Sequence, residues 1–166
     1  ALEACSEYFL KFGGHQAAAG LSMEKEKFEA FKEKFEKVVA EKIQEHQKFP
    51  SITIDSVIEI EDLNRDFFNF HRKLSPFGPH NMKPVLELRN QKVSGYVKQM
   101  GKDGNHLKFY IHQPVSGRNI ECIGFKLGQY MDDFKTKNFD IAFTVEENHW
   151  KGNVTYYLNI RDVKFH

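Results

Sequence analysis

Scarcity narrows this 166-residue sequence before any motif does. It has only two cysteines, Cys5 and Cys122, too far apart in sequence for a zinc or redox spacing. That excludes a disulfide-stapled scaffold and predicts free, buried thiols in a reduced, cytoplasmic setting. No apolar run approaches the ~20 residues that span a bilayer, and no signal-peptide pattern opens the chain, so no membrane partner is expected. An excess of charge of one sign is also missing, with 24 Lys plus Arg set against 23 Asp plus Glu. A strongly basic, whole-chain nucleic-acid binder is thereby excluded, although residues 85–166 lean basic by twelve to nine. The eight histidines are scattered, and no carboxylate-rich cluster accompanies them. A two-metal phosphodiesterase centre needs such a cluster, so no catalytic residue and no metal ligand is assigned within this chain. P-loop and dinucleotide fingerprints, internal repeats and low-complexity tracts are likewise absent.

What the chain does contain is periodic. Leu2, Cys5, Phe9 and Phe12 repeat at helical spacing, with Gly13 as the stop. The stripe begins without a cap or an initiator Met, which predicts a piece of something longer. Ser22 is placed to cap a second helix running to about His46, with Phe28, Phe31, Phe35, Val38, Val39 and Ile43 on its apolar face. Ile52, Ile54, Ile58 and Ile60 alternate as in a half-buried strand, and Leu63, Phe67, Phe70 and Leu74 return to helical spacing. The run Ser75–Pro84 carries three prolines and a glycine and reads as a linker between domains over 1–74 and 85–166. Beyond it, strands are predicted near 85–99, 105–113 and 119–125, a short helix near 127–135, and strands over 139–147 and 153–163. Three strands, a helix and two strands is the order of a five-stranded OB-fold barrel, which makes the whole chain α+β.

Two places offer chemistry. From Gly13 to Gly20, glycines bring the main chain close to a ligand, His15 can donate to an anionic oxygen, and Ala17, Ala18, Ala19 and Gly20 leave room. A small-residue packing site explains the same run equally well on the residues alone. Family knowledge separates the two readings. Phe12-Gly13-Gly14-His15 and Ala18-Ala19-Gly20-Leu21 resemble the Gly-Gly-His and Ala-Ala-Gly signature of the DHH-associated domain of a phosphoesterase superfamily. Within it, Leu74-Ser75-Pro76-Phe77-Gly78 with Asn81 and Pro84 resembles the linker of RecJ-type exonucleases, with Met82 where many relatives carry a second proline. The resemblance covers nearly the whole chain. It implies a parent enzyme that degrades single-stranded DNA from its 5′ end in repair and recombination. It also implies manganese or magnesium held by an N-terminal DHH domain outside this chain, so that the fragment alone is inactive. By the same resemblance, Gly13, Gly14, His15, Ala18, Ala19 and Gly20 hold a substrate phosphate, and losing His15 should weaken catalysis roughly ten- to a hundredfold.

The barrel is the second place. In its second strand Leu107, Phe109 and Ile111 alternate with His106, Lys108, Tyr110 and His112, so one face enters the core while the other offers cations and a ring. Lys98, Lys108 and Arg118 are candidate phosphate contacts for single-stranded DNA, Tyr96 and Tyr110 candidate stacking platforms, and His106 a further candidate DNA-binding residue. Trp150 and Lys151 fall in the loop between the last two strands, where Trp150 either stacks on a base or plugs the barrel end. Asp132-Asp133 reads as a solvated helix face. Two other readings stand beside the exonuclease: a non-catalytic module that binds single strands or docks a DNA-repair protein, and a relative that cleaves short or cyclic oligonucleotides. The barrel argues against the last, because small substrates need no extended groove.

Overall fold

A computed structural model describes residues 1–15 and 18–166. Contacts divide the chain into two units, Ala1–Ser51 and Ile52–His166. In the first, a 3-10 stretch over Leu2–Tyr8 leads into β1 (Phe9–His15), which pairs antiparallel with β2 (Ala18–Met23). The helix expected to run through Phe12 therefore ends at Tyr8. Gly13 and Gly14 are poor helix residues, while the small side chains across from them allow close antiparallel pairing. Ser22 lies in β2 opposite Lys11 and caps nothing; α1 (Phe28–Lys42) starts only after a 3-10 turn at Lys25–Lys27. Of its expected apolar face, Phe31, Phe35, Val38 and Val39 are half-buried, while Phe28 stays exposed. Phe31 packs 5.4 Å from Phe35, 5.2 Å from Phe9 and 6.3 Å from Tyr8, ring centre to ring centre.

The second unit holds β3 (Ser56–Val57), α2 (Arg65–Lys73), β4 (Leu86–Gln91), β5 (Lys98–Met100), β6 (His106–Gln113), β7 (Arg118–Gly124), α3 (Met131–Thr136), β8 (Phe139–Trp150) and β9 (Asn153–Phe165). Their order in the sheet is β3-β4-β8-β9-β7-β6-β5. β4 and β5 are the two ends of one stretch, residues 86–100, so the first barrel strand is split: β4 pairs with β8 and β5 with β6. Between them Ser94 N–H donates to Tyr110 O (2.7 Å), which ties the bend to β6. The parallel pairing of β7 with β9, amid antiparallel neighbours, completes OB topology.

Alternation along the strands builds the interior. Leu88, Leu107, Phe109, Ile111, Phe143 and Leu158 are fully buried. α3 adds Phe134, whose ring lies 4.6 Å from Phe109, 4.9 Å from Phe139 and 5.0 Å from Phe165. Residues 52–74, expected with the first domain, fall in the second unit instead. The reason is hydrogen bonding and burial: β3 pairs parallel with β4, and Ile60 and Leu63 join the barrel's apolar core. The boundary thus lies at Ser51/Ile52 rather than in the 75–84 run. That run is an ordered turn, in which Gly78 and Asn81 exchange two 2.9 Å backbone hydrogen bonds. The Asn81 side-chain amide also donates to Leu74 O and Pro76 O.

Candidate nucleic-acid interface

The register of β1 and β2 sets Gly13 opposite Gly20, Gly14 opposite Ala19, and His15 opposite Ala18. The residues of the small-side-chain run are thus brought together, and all six are solvent-exposed. Ala17 lies outside the described residues. The two glycines differ. A β-carbon on Gly13 would meet nothing within 4 Å, whereas one on Gly14 would sit 2.3 Å from Ala18 O and 2.4 Å from Ala19 Cα. Gly14 therefore answers to strand pairing, and the Gly13/Gly20 step is the open one. Lys11, Phe12, Gly13, Gly20 and Leu21 line a shallow depression there of about 300 Å³.

On the barrel, Lys98 and Lys108 face each other across β5 and β6, and directly opposite residues of an antiparallel pair share a face. They are not equivalent. Lys108 Nζ lies 2.5 Å from Glu121 Oε2 on β7, and the hydrogen bond to that carboxylate holds the lysine's pKa above its usual value. Tyr110 Oη donates to the same oxygen (3.3 Å), and Lys108 Nζ sits 5.7 Å from the Tyr110 ring centre. Tyr96 meets Tyr110 edge-on at 6.3 Å and is 64% exposed. The row continues across the sheet from Tyr110 through Glu121 and Tyr157 to Glu146. Lys83 pairs with Glu146 at 2.6 Å, so acids balance the bases of this face. His106 is committed elsewhere: its Nδ1 accepts from Lys126 N–H (3.0 Å) and its ring packs on Phe125. Arg118 has the parity of the buried Ile120 and Cys122, so it does not join Lys108 and Tyr110 on their face.

From Phe143 opposite Ile160, β8 and β9 pair without a break as far as Trp150 opposite Asn153, and residues 148–155 are all exposed. They form an arm. Trp150 near its tip is 68% exposed, which rules out the barrel plug, and Lys151 Nζ lies 5.9 Å from its ring centre. Gly152 and Lys151 turn the chain with positive φ.

A cleft that sequence reading missed lies within the second unit, where α2 and the 75–84 turn face the base of the arm. Its volume is about 450 Å³, and Phe77 and Val145 supply its apolar lining. Lys83, held at 2.6 Å by Glu146, and Arg72, 3.8 Å from Glu147, stand at its polar side, with His149 Nε2 2.8 Å from Glu147 Oε2. His71 lines the cleft at 5% exposure, its ring 5.2 Å from that of Phe77. Burial, then the nearby Lys83 charge, pull the His71 pKa below its ordinary value, so the imidazole is neutral near pH 7. Among the described residues, His71 Nε2 is the buried side-chain nitrogen or oxygen left without a hydrogen-bond partner. The contributors are distant in sequence, and no local pattern joins them.

Among the described residues no group of three or more His, Cys, Asp or Glu is placed to hold a metal ion, and no helix is long and apolar enough to cross a membrane. Asp132 and Asp133 pair instead with Lys135 and Lys137.

A split first strand, a parallel β7–β9 pair and a helix before β8 define an OB-fold domain, here with aromatic and basic groups on its outer face. Residues 54–162 match the model of the RecJ OB domain, and the chain belongs to that family. It is 25% identical over 162 residues to the single-stranded-DNA-specific exonuclease RecJ of Bacillus subtilis (strain 168), covering 97% of this chain and 20% of the relative. The RecJ of Haemophilus influenzae is 26% identical over 145 residues, 87% of this chain and 25% of its own. The crystal structure of RecJ in complex with Mn2+ from Thermus thermophilus superimposes with a TM-score of 0.69 at 24% identity, covering 98% of this chain and 23% of that one. This chain thus spans about a fifth to a quarter of the length of these relatives.

Proposed function

We propose that this chain is the substrate-holding part of an exonuclease that degrades single-stranded DNA from its 5′ end during repair and recombination. Its relatives are named for single-stranded DNA. In this reading a strand crosses the barrel face by Lys98, Tyr96 and Tyr110 and reaches the arm at Trp150. The Gly13–His15 and Ala18–Gly20 segments receive a phosphate presented to the DHH domain, which lies elsewhere in the parent polypeptide and holds manganese or magnesium. Among the described residues no cluster fits such a metal pair, and no hydrolytic step is assigned to them.

The observation that carries the reading is the exposure of Trp150 beside Lys151 on a projecting arm. An indole held in water costs a protein apolar surface, and stacking on a base recovers it at ~1–3 kcal/mol per base. Trp150 is the chain's one tryptophan, so its emission reports on the arm alone. Oligo(dT) should quench it, and Trp150→Ala should weaken binding roughly five- to a hundredfold while leaving the melting temperature in place. Unchanged emission at saturating DNA would remove Trp150 from the interface.

The pairing of Lys108 with Glu121 and of Lys83 with Glu146 favours a second reading, docking of a DNA-repair protein onto a charge-balanced face. Salt separates the two, because phosphate binding weakens steeply as counterion release loses its advantage, whereas docking onto a face whose charges are already paired releases few counterions and changes little.

A further inference from the structure

The cleft beside the arm has a composition that the strand-binding face does not explain. Its two fixed cations are matched by two carboxylates, Arg72 by Glu147 and Lys83 by Glu146, so it offers no net charge to a phosphate. A free cation would in turn compete with Lys83 and Arg72 for the same carboxylates. What suits such a wall is a neutral, flat molecule that presents donors and acceptors side by side. The interior agrees: Val145 and the Phe77 ring supply apolar contact, and the nine-tenths-buried His71 ring lines the same space. At about 450 Å³ the cleft sits in the lower part of the ~300–1,000 Å³ range of small-molecule clefts.

We infer that this cleft captures a single nucleobase turned out of the strand lying on the barrel face, with guanine the best match. The inference rests on the single-strand reading above. Carboxylates accept hydrogen bonds from base amino groups, while lysine and arginine donate to the guanine O6/N7 edge. Glu146 beside Lys83 offers both within one ion pair. Guanine places N1–H and N2–H2 donors next to its O6 acceptor and fits that pair in one plane. Thymine has a single donor on that edge, N3–H, and so gives the carboxylate one hydrogen bond fewer than guanine does. The Asn81 side chain, bonded to Leu74 O and Pro76 O, braces the turn that carries Ser75 and Phe77, so this wall is formed before a base arrives.

The test uses the 166-residue chain with deoxyguanosine and thymidine as free probes, read by heteronuclear NMR. Deoxyguanosine should shift the His71 ring resonances and the amides of Ser75, Lys83 and Glu146, with thymidine at least fivefold weaker. Glu146→Gln should weaken deoxyguanosine binding about tenfold. Because the wild-type map reads the site directly, the result stands even if a cleft variant folds poorly. Millimolar deoxyguanosine that leaves these resonances in place, or that shifts them no more than thymidine does, would overturn the inference. Binding of oligo(dT) followed by Trp150 emission separates the two proposals. A chain that answers the oligonucleotide but not the nucleoside loses the cleft, and one that answers the nucleoside alone keeps the cleft and loses the strand path.

Discussion

Single residues here separate positions that sequence treats alike. Gly13 and Gly14 are adjacent, yet only Gly14 packs so tightly on β2 that a methyl group would collide with Ala18 O and Ala19 Cα. Gly14→Ala should therefore cost about 1–3 kcal/mol of local stability, and Gly13→Ala well under 1. Hydrogen exchange of the β1 and β2 amides measures the difference, and equal protection in both variants would contradict the register. His71 gives a pH effect of definite sign. Its folded pKa is depressed, so below the unfolded value of about 6.5 the unfolded chain binds more protons. The stability linked to its neutral form is complete above that pH and falls away as pH drops toward the folded value. Urea unfolding at pH 7.5 and 5.5 should show a smaller acid loss for His71→Gln than for the parent chain. Neither property was legible beforehand, because a collision depends on strand register, and the titration of His71 on burial by residues distant in sequence.

At the scale of elements, alternation and turn chemistry did most of the work of prediction. The strand core Leu107, Phe109 and Ile111 is as expected, and β7, α3, β8 and β9 lie within a few residues of their predicted positions. What alternation cannot show is which strand comes to lie beside which. Glu121 stands at an outward position of β7, and only the pairing of Tyr110 with Glu121 reveals that it claims Lys108. This has a measurable consequence. Glu121→Gln frees the Lys108 ammonium, so binding to single-stranded DNA should tighten and the slope of log K against log salt should steepen by about 0.7, one further phosphate. An unchanged slope would take Lys108 off the strand path. The first helix failed as an expectation for a related reason: Phe9 and Phe12 keep helical spacing, but the pairing of two small-residue stretches outweighs it.

For the molecule as a whole, the Pro/Gly run misled because such residues mark both linkers and tight turns, and only the hydrogen bonds of Asn81 tell them apart. The barrel's integrity depends on its aromatic centre. Phe134→Ala would empty the space between Phe109, Phe139 and Phe165 at a cost of about 3–5 kcal/mol. That is a large share of ordinary domain stability, and methyl NMR signals of the barrel core followed through a urea titration should show it. Retention of the parent midpoint would mean that α3 is dispensable to the core. The split first strand carries a last consequence. Residues 86–100 cover exposed backbone on both β8 and β6 with one continuous piece of chain. A protease cut near Ser94 would leave each half held by its own sheet pairing alone, and loss of either would bare an edge whose unpaired amides invite strands from other molecules. Clipping at that bend should therefore turn a well-behaved barrel into a seed for aggregation.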